Sequence, residues 1–326
     1  MGRADPPISF PMRRIAPLLA LALLAPAPSA PASPVPGAED CPVFPDNNVW
    51  HADVRKLPVH PRSKQWIKAM GGKRQRLHPD FGPSGGQPYG IPFDIVNDSH
   101  AKVSIDFHYA SESDPGPYPF GPDIRIEGGS DRHALMVHAD ECVLYELFDA
   151  DWNGGDPTAG SGATWDLRSN KLRPKGWTSA DAAGLSIFAG LIRRDEVEAG
   201  RIDHAIRVTA ERTDKRFLWP ARHQAGAARN PRLPPMGARF RLRKDFPLKG
   251  YGFETKVILR AMKRHGLIVA DNGSNWYFGG ASEHGWATAV LDELKSIPAA
   301  SFEAVRTGPM KVSQSSGRVK RRFVGG

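Results

Sequence analysis

A chain of 326 residues, 40% hydrophobic, 24% charged and 9% aromatic, holds enough apolar material for a sizeable core, and its 33 Gly and 30 Pro fall far short of a low-complexity polymer. Much of the net charge of +9 sits at the ends: residues 1–32 contribute +2 and residues 307–326 contribute +5, leaving +2 for the body. Specific nucleic-acid binding therefore finds no folded basic face to rest on.

In chain order, the first feature is a ten-residue apolar run, 15–24, preceded by Arg13 and Arg14 and followed by small residues and prolines. It is too short for a membrane span and predicts a secretory signal over 1–32, cut after Ala32. Translation from Met1 or from Met12 satisfies this reading, as does either general or twin-arginine export. A Pro-rich start, 33–40, and the acid-free basic tail, 307–326, are expected to be disordered around one globular domain, 41–306. The protein is accordingly expected to be secreted, with no transmembrane segment; its oligomeric state is open. Only Cys41 and Cys142 are present, without a CxxC, so an oxidising compartment predicts one disulfide between them.

Pro and Gly break residues 41–92 into an irregular wrap with one helix, 63–70, capped by Ser63 and stopped at Gly71-Gly72. Short Val/Ile/Phe-rich runs at 91–96 and 102–109 read as strands, and the four prolines of 113–122 as a loop. Runs 133–138 and 142–148 form an antiparallel hairpin about Ala139-Asp140-Glu141. Ser179 caps an expected helix with Asp181 in its first turn, and another spans 194–199. Strands follow at 204–210, 216–219, 238–242, 267–270 and 301–305, with helices over 255–265 and 286–296. The sum predicts a single domain, mainly β with several helices, antiparallel and β-sandwich-like.

The hairpin register sets Leu135 opposite Glu146, so Asp131, His133 and Glu146 project from one side. Two carboxylates and an imidazole suit glycoside hydrolysis, in which one acid protonates the leaving oxygen and the other serves as base or nucleophile. The same three residues suit hairpin-end ion pairing, and a turn one residue longer moves Glu146 beside Ala134. Trp165, Asp166 and Arg168, with Trp177 and Asp181, pair indole faces with groups that bind hydroxyls or uronates. Arg222 and His223 stand where a strand ends at Pro220, an arrangement a polysaccharide lyase can use to neutralise a carboxylate and remove a proton. Asp271, Asn275 and Trp276 cluster after a buried strand. Asp149, Asp151 and Asn153 reproduce the first half of a calcium loop, with Gly160 where the twelfth ligand belongs, so the stretch offers a weak structural Ca2+ site while no cofactor is required. No Walker loop, G-x-S-x-G or S-x-x-K occurs, and the eleven histidines form neither H-x-H nor H-E-x-x-H.

The strings at 129–135 (GSDRHAL), 165–169 (WDLRS), 176–184 (GWTSADAAG), 219–223 (WPARH) and 270–274 (ADNGS) resemble a family of exported bacterial proteins that has no established reaction. The resemblance spans nearly the whole mature body and implies secretion and one domain, without implying an activity. The resulting expectation is a secreted carbohydrate-active enzyme, a glycoside hydrolase or polysaccharide lyase, whose acid/base groups come from Asp131, His133, Glu146 and His223. The alternative is a non-catalytic binder of extracellular polysaccharide or cell-wall glycan.

Overall fold

In the computed structural model residues 1–4 and 34–325 are described; the expected signal run and its cleavage point lie outside the described residues. The helices form where apolar residues recur on one face. Helix α1 (Ser63–Ala69) buries Trp66, and Ser63 is its first residue rather than its cap. The Ser63 hydroxyl accepts the Ala304 amide at 2.8 Å, tying the helix to the last strand. Helix α2 (Arg194–Glu198) is short, while α3 (Phe253–Arg264) buries Val257, Ile258, Leu259, Ala261 and Met262. Gly266 stops α3 at φ +74°, where a side chain would meet the Phe240 carbonyl. Helix α4 (Thr288–Lys295) buries Val290, Leu291 and Leu294.

Ten strands build the two larger sheets: β1 (His78–Asp80), β2 (Phe93–Val96), β3 (Ala134–His138), β4 (Val143–Phe148), β5 (Ser161–Asp166), β6 (Ile206–Ala210), β7 (Arg239–Leu242), β8 (Leu267–Asn272), β9 (Tyr277–Gly279) and β10 (Phe302–Val305). One sheet has the order β1-β9-β6-β8-β7-β10 and the other β2-β3-β4-β5; three two-stranded ribbons complete an architecture that, among the described residues, is mainly β with four α-helices and no barrel. The sheets are mixed rather than antiparallel as expected, since β1/β9, β6/β8 and β2/β3 run parallel. Long connections separate these partners, so hairpin signals in the sequence carry no trace of them.

The β3/β4 register is the expected one, Leu135 opposite Glu146. Its faces are both buried. Leu135, Val137 and Leu144 join the large core cluster shared with β6, β7 and β8, whereas Ala134, Met136, Tyr145 and Leu147 pack on Tyr118, Phe120 and Ile124. Cys142 ends the turn at φ +53° and is disulfide-bonded to Cys41, with their Cα atoms 5.2 Å apart.

Three expectations are corrected. No helix follows Ser179: its hydroxyl contacts the carbonyls of Asp181 at 2.7 Å and Leu185 at 2.5 Å, and the segment coils into turns. The Pro-rich start is ordered over 34–40, where Val35 and Ala38 are buried. The basic tail is ordered as well, because its apolar residues Met310, Val319 and Phe323 find core partners. Its backbone returns to the body through Val49 N–H to Gly317 O (2.8 Å) and Asp53 N–H to Phe323 O (2.9 Å). Each such buried side chain contributes roughly 1.5–3 kcal/mol. Truncation after Thr307 should therefore lower the urea midpoint by an amount equivalent to about 4 kcal/mol or more; an unchanged melt would mean that the tail contributes nothing.

Candidate functional site

The hairpin does not gather its three expected groups at one opening. Glu146 shares the face of Leu144, toward the large core, and has no exposed surface. Its carboxyl receives the Trp165 indole N–H at 2.8 Å, the Ser186 hydroxyl at 3.0 Å and the Phe188 amide at 2.9 Å. Burial pushes its pKa up to about 7 despite these donors. It is an internal brace, which corrects its assignment as a catalytic acid. Asp131 is exposed, and its carbonyl accepts the Asp149 amide at 2.8 Å. His133 is buried, with Nδ1 2.5 Å from Glu127 Oε2 and Nε2 3.3 Å from the Ala180 carbonyl. Burial opposes charge on the ring, but the Glu127 bond and charge more than offset it, so the imidazole pKa lies above its ordinary value.

His133 instead belongs to a network centred on Arg207. On β6, Ile206 and Val208 enter the core, and Arg207 points to the other face. Gly279 leaves space for it; a Cβ there would stand 3.3 Å from Nη1. The guanidinium grips Asp181 with two bonds, Nε at 2.9 Å and Nη2 at 2.6 Å, inside the turns of 176–184. Asp271 on the neighbouring strand β8 hydrogen-bonds the Asp181 carboxyl and accepts the Asn272 amide at 2.6 Å. Burial disfavours charge on Asp181, yet Arg207 holds its pKa below the ordinary range. Asp271 lacks that grip, and burial together with the Asp181 charge pushes it up to about 8. Arg207 also interacts electrostatically with Glu127 and with Asp80 on β1. Asp80 in turn hydrogen-bonds Tyr89; burial raises both groups, the phenol to about 12 with the added charge of Asp80. One half-buried network thus offers a protonated carboxyl beside an ionised one, together with an imidazole–carboxylate pair.

A second grouping takes in Trp177 from the start of the same loop. Trp165, Asp166, Trp177 and Arg222, all expected at a binding surface, line a cleft of about 540 Å3 with Asp114, Lys171 and Arg173. The Arg173 guanidinium lies 5.6 Å from the Trp165 ring and 5.5 Å from the Trp177 ring, and it is paired with Asp114. His223 stands near this region, Nδ1 3.0 Å from the Ala182 carbonyl and Nε2 3.8 Å from Glu112.

The remaining expected residues are elsewhere. Trp276 is fully buried, its indole N–H on the Met70 carbonyl at 2.9 Å, so it is a core residue and lines no cleft. Asn275 bonds Glu211, and Arg168 reaches the Glu141 carbonyl at 3.2 Å from an exposed position. Asp149 and Asn153 are exposed, and Asp151 accepts the Asn153 amide at 3.1 Å and faces Arg132 at 3.4 Å. Among the described residues, the His and acid side chains that gather within 4.8 Å are Asp98, His138 and Asp140, away from that loop.

Removing the cation should leave Asp181 buried without its partner, so Arg207→Ala is expected to destabilise the fold by about 3–5 kcal/mol in urea melts. Asp271 binds its proton more tightly folded than unfolded. Its stabilising contribution is full below the ordinary carboxylate pKa and is lost as pH rises toward 8. Between about pH 4 and 8 the stability of D271N should therefore fall less steeply than that of the parent; parallel curves would remove the shift from Asp271. Compared with protein-family models, curated proteins and solved structures, the chain matches none.

Proposed function

We propose that the protein is an exported enzyme that cleaves an extracellular polysaccharide or cell-wall glycan by general acid/base catalysis, with the working groups at Asp271 and Glu127 rather than Glu146. One observation carries this reading. Asp271, a half-buried residue, lies hydrogen-bonded against Asp181, which Arg207 grips with two bonds, and burial together with that neighbouring charge raises the pKa of Asp271. In hydrolysis, Asp271 delivers a proton to the leaving glycosidic oxygen as the bond to the anomeric carbon breaks. Both His133 contacts fall on Oε2 of Glu127, and we assign Oε1 to the attacking water, whose proton Glu127 removes. Asp181 and Arg207 position and polarise Asp271 without touching substrate. The step uses only side chains of this chain and water. The Cys41–Cys142 disulfide supports an oxidising, extracellular setting, and among the described residues no helix is long and apolar enough to cross a membrane. A shared core between the two larger sheets supports a sandwich-like scaffold for the site.

The second reading, a glycan binder without turnover, is favoured by the cleft with Trp165 and Trp177. Incubation with a glycan panel, read by mass spectrometry, separates the two. The enzyme reading expects new reducing or unsaturated ends, and a loss of about 100-fold or more in folded D271N. Undiminished turnover in that variant would remove Asp271 from the mechanism, and retention on polymer with no product would leave the binder.

A further inference from the structure

Arg222 is 8% exposed, yet no carboxylate lies within ion-pair distance of it among the described residues. Its Nε donates to the Arg173 carbonyl at 2.7 Å and Nη1 to the Gln314 carbonyl at 2.6 Å. Carbonyl oxygens orient a guanidinium but do not neutralise it. Of the acids of the cleft, Asp114 pairs with Arg173 and accepts the Thr164 amide at 2.9 Å, while the exposed Asp166 accepts the Arg168 amide at 2.8 Å and lines the cleft without forming an ion pair with Arg222 among the described residues. Lys171, also on the cleft wall, is exposed and has no ion-pair partner among the described residues. The cleft therefore sets two cations without ion-pair partners, Arg222 and Lys171, against one exposed unpaired acid, Asp166, and adds two indoles; it shares the 176–184 loop with Asp181, since Trp177 stands four positions before that residue.

We propose that this cleft recognises a carboxylate-bearing sugar, a uronic-acid residue of an acidic glycan, with Arg222 forking its carboxylate, Lys171 adding charge and Trp177 contacting the ring. This rests on the glycan reading above and narrows its substrate class. A planar guanidinium matches a planar carboxylate through two parallel donors, which a neutral hexose cannot reproduce.

The test measures binding rather than turnover. The full chain carrying Asp271→Asn is titrated calorimetrically with a tetragalacturonate and with its fully methyl-esterified counterpart. The free acid should bind at least about tenfold more tightly, and its affinity should weaken between 0.05 and 0.5 M salt, roughly as screening of a few charges requires. Arg222→Gln should abolish that preference. Lys171→Gln, on an exposed side chain that the fold does not need, should reduce it about two- to fivefold. Equal affinity for the acid and its ester, or a preference unchanged in both variants, would overturn the uronate assignment while leaving a neutral-glycan site intact. Failure of both sugars to bind, together with an empty product panel, would overturn the glycan reading itself.

Discussion

The Arg207–Asp181 pair is the contact on which the candidate site depends. A carboxylate with no exposed surface is costly to desolvate, and a strand guanidinium pointing out of an apolar run is costly too; each is tolerable only because the other is present in a two-bond geometry. That mutual requirement fixes the irregular 176–184 loop against β6. It also sets the chemistry of the next carboxyl along, because Asp271 meets a charge that is already committed. Without Arg207, no cation would hold the charge on Asp181, and the two acids would compete for a single proton. The asymmetry of the pair is thus produced by a residue that itself needs no access to substrate.

Local patterning was a good guide to elements and a poor one to their assembly. Helix α3, the β3/β4 hairpin and its register were legible because periodicity and a turn cluster are written within a dozen residues. The parallel pairs were not, since β1 and β9 lie almost two hundred positions apart. Ser179 carries the text of a helix cap, but Asp181 is drawn inward by Arg207, and the loop follows the ion pair rather than local propensity. The basic tail looked solvated because its five cations stand without a single acid, yet three well-spaced apolar side chains dock it.

The same contrast holds for the site. Asp181, Asp271 and His133 were legible as candidates; Trp165, Trp177 and Arg222, offered by separate stretches of the sequence, line one cleft, whereas Trp276 lies in the core. Glu146 was misread because strand alternation says which residues share a face, not whether that face meets water. Here both faces of the four-stranded sheet are covered, so the shared face is interior. Arg207, Glu127, Asp80 and Tyr89 went unnoticed. The one local signal was Arg207 itself, a full charge in the middle of an apolar strand run, which demands a buried partner from somewhere in the chain.

Two nearly carboxylate-free buried arginines show how access separates architecture from chemistry. Arg239 has no exposed surface, and its guanidinium is spent on the carbonyls of Val49, Ala52 and His265, pinning the N-terminal wrap to β7; burial pulls its pKa down to about 9. Its contacts fill its environment, and nothing from outside can reach it. Arg222 has a similar carbonyl pairing but borders an open cleft beside indoles, so the anion it lacks can arrive from solvent. Buried charge alone is therefore no mark of a site. A cation held rigid by backbone carbonyls, uncompensated and at the wall of a cleft, has its binding geometry organised before ligand arrives, and the ligand that best relieves it carries a carboxylate.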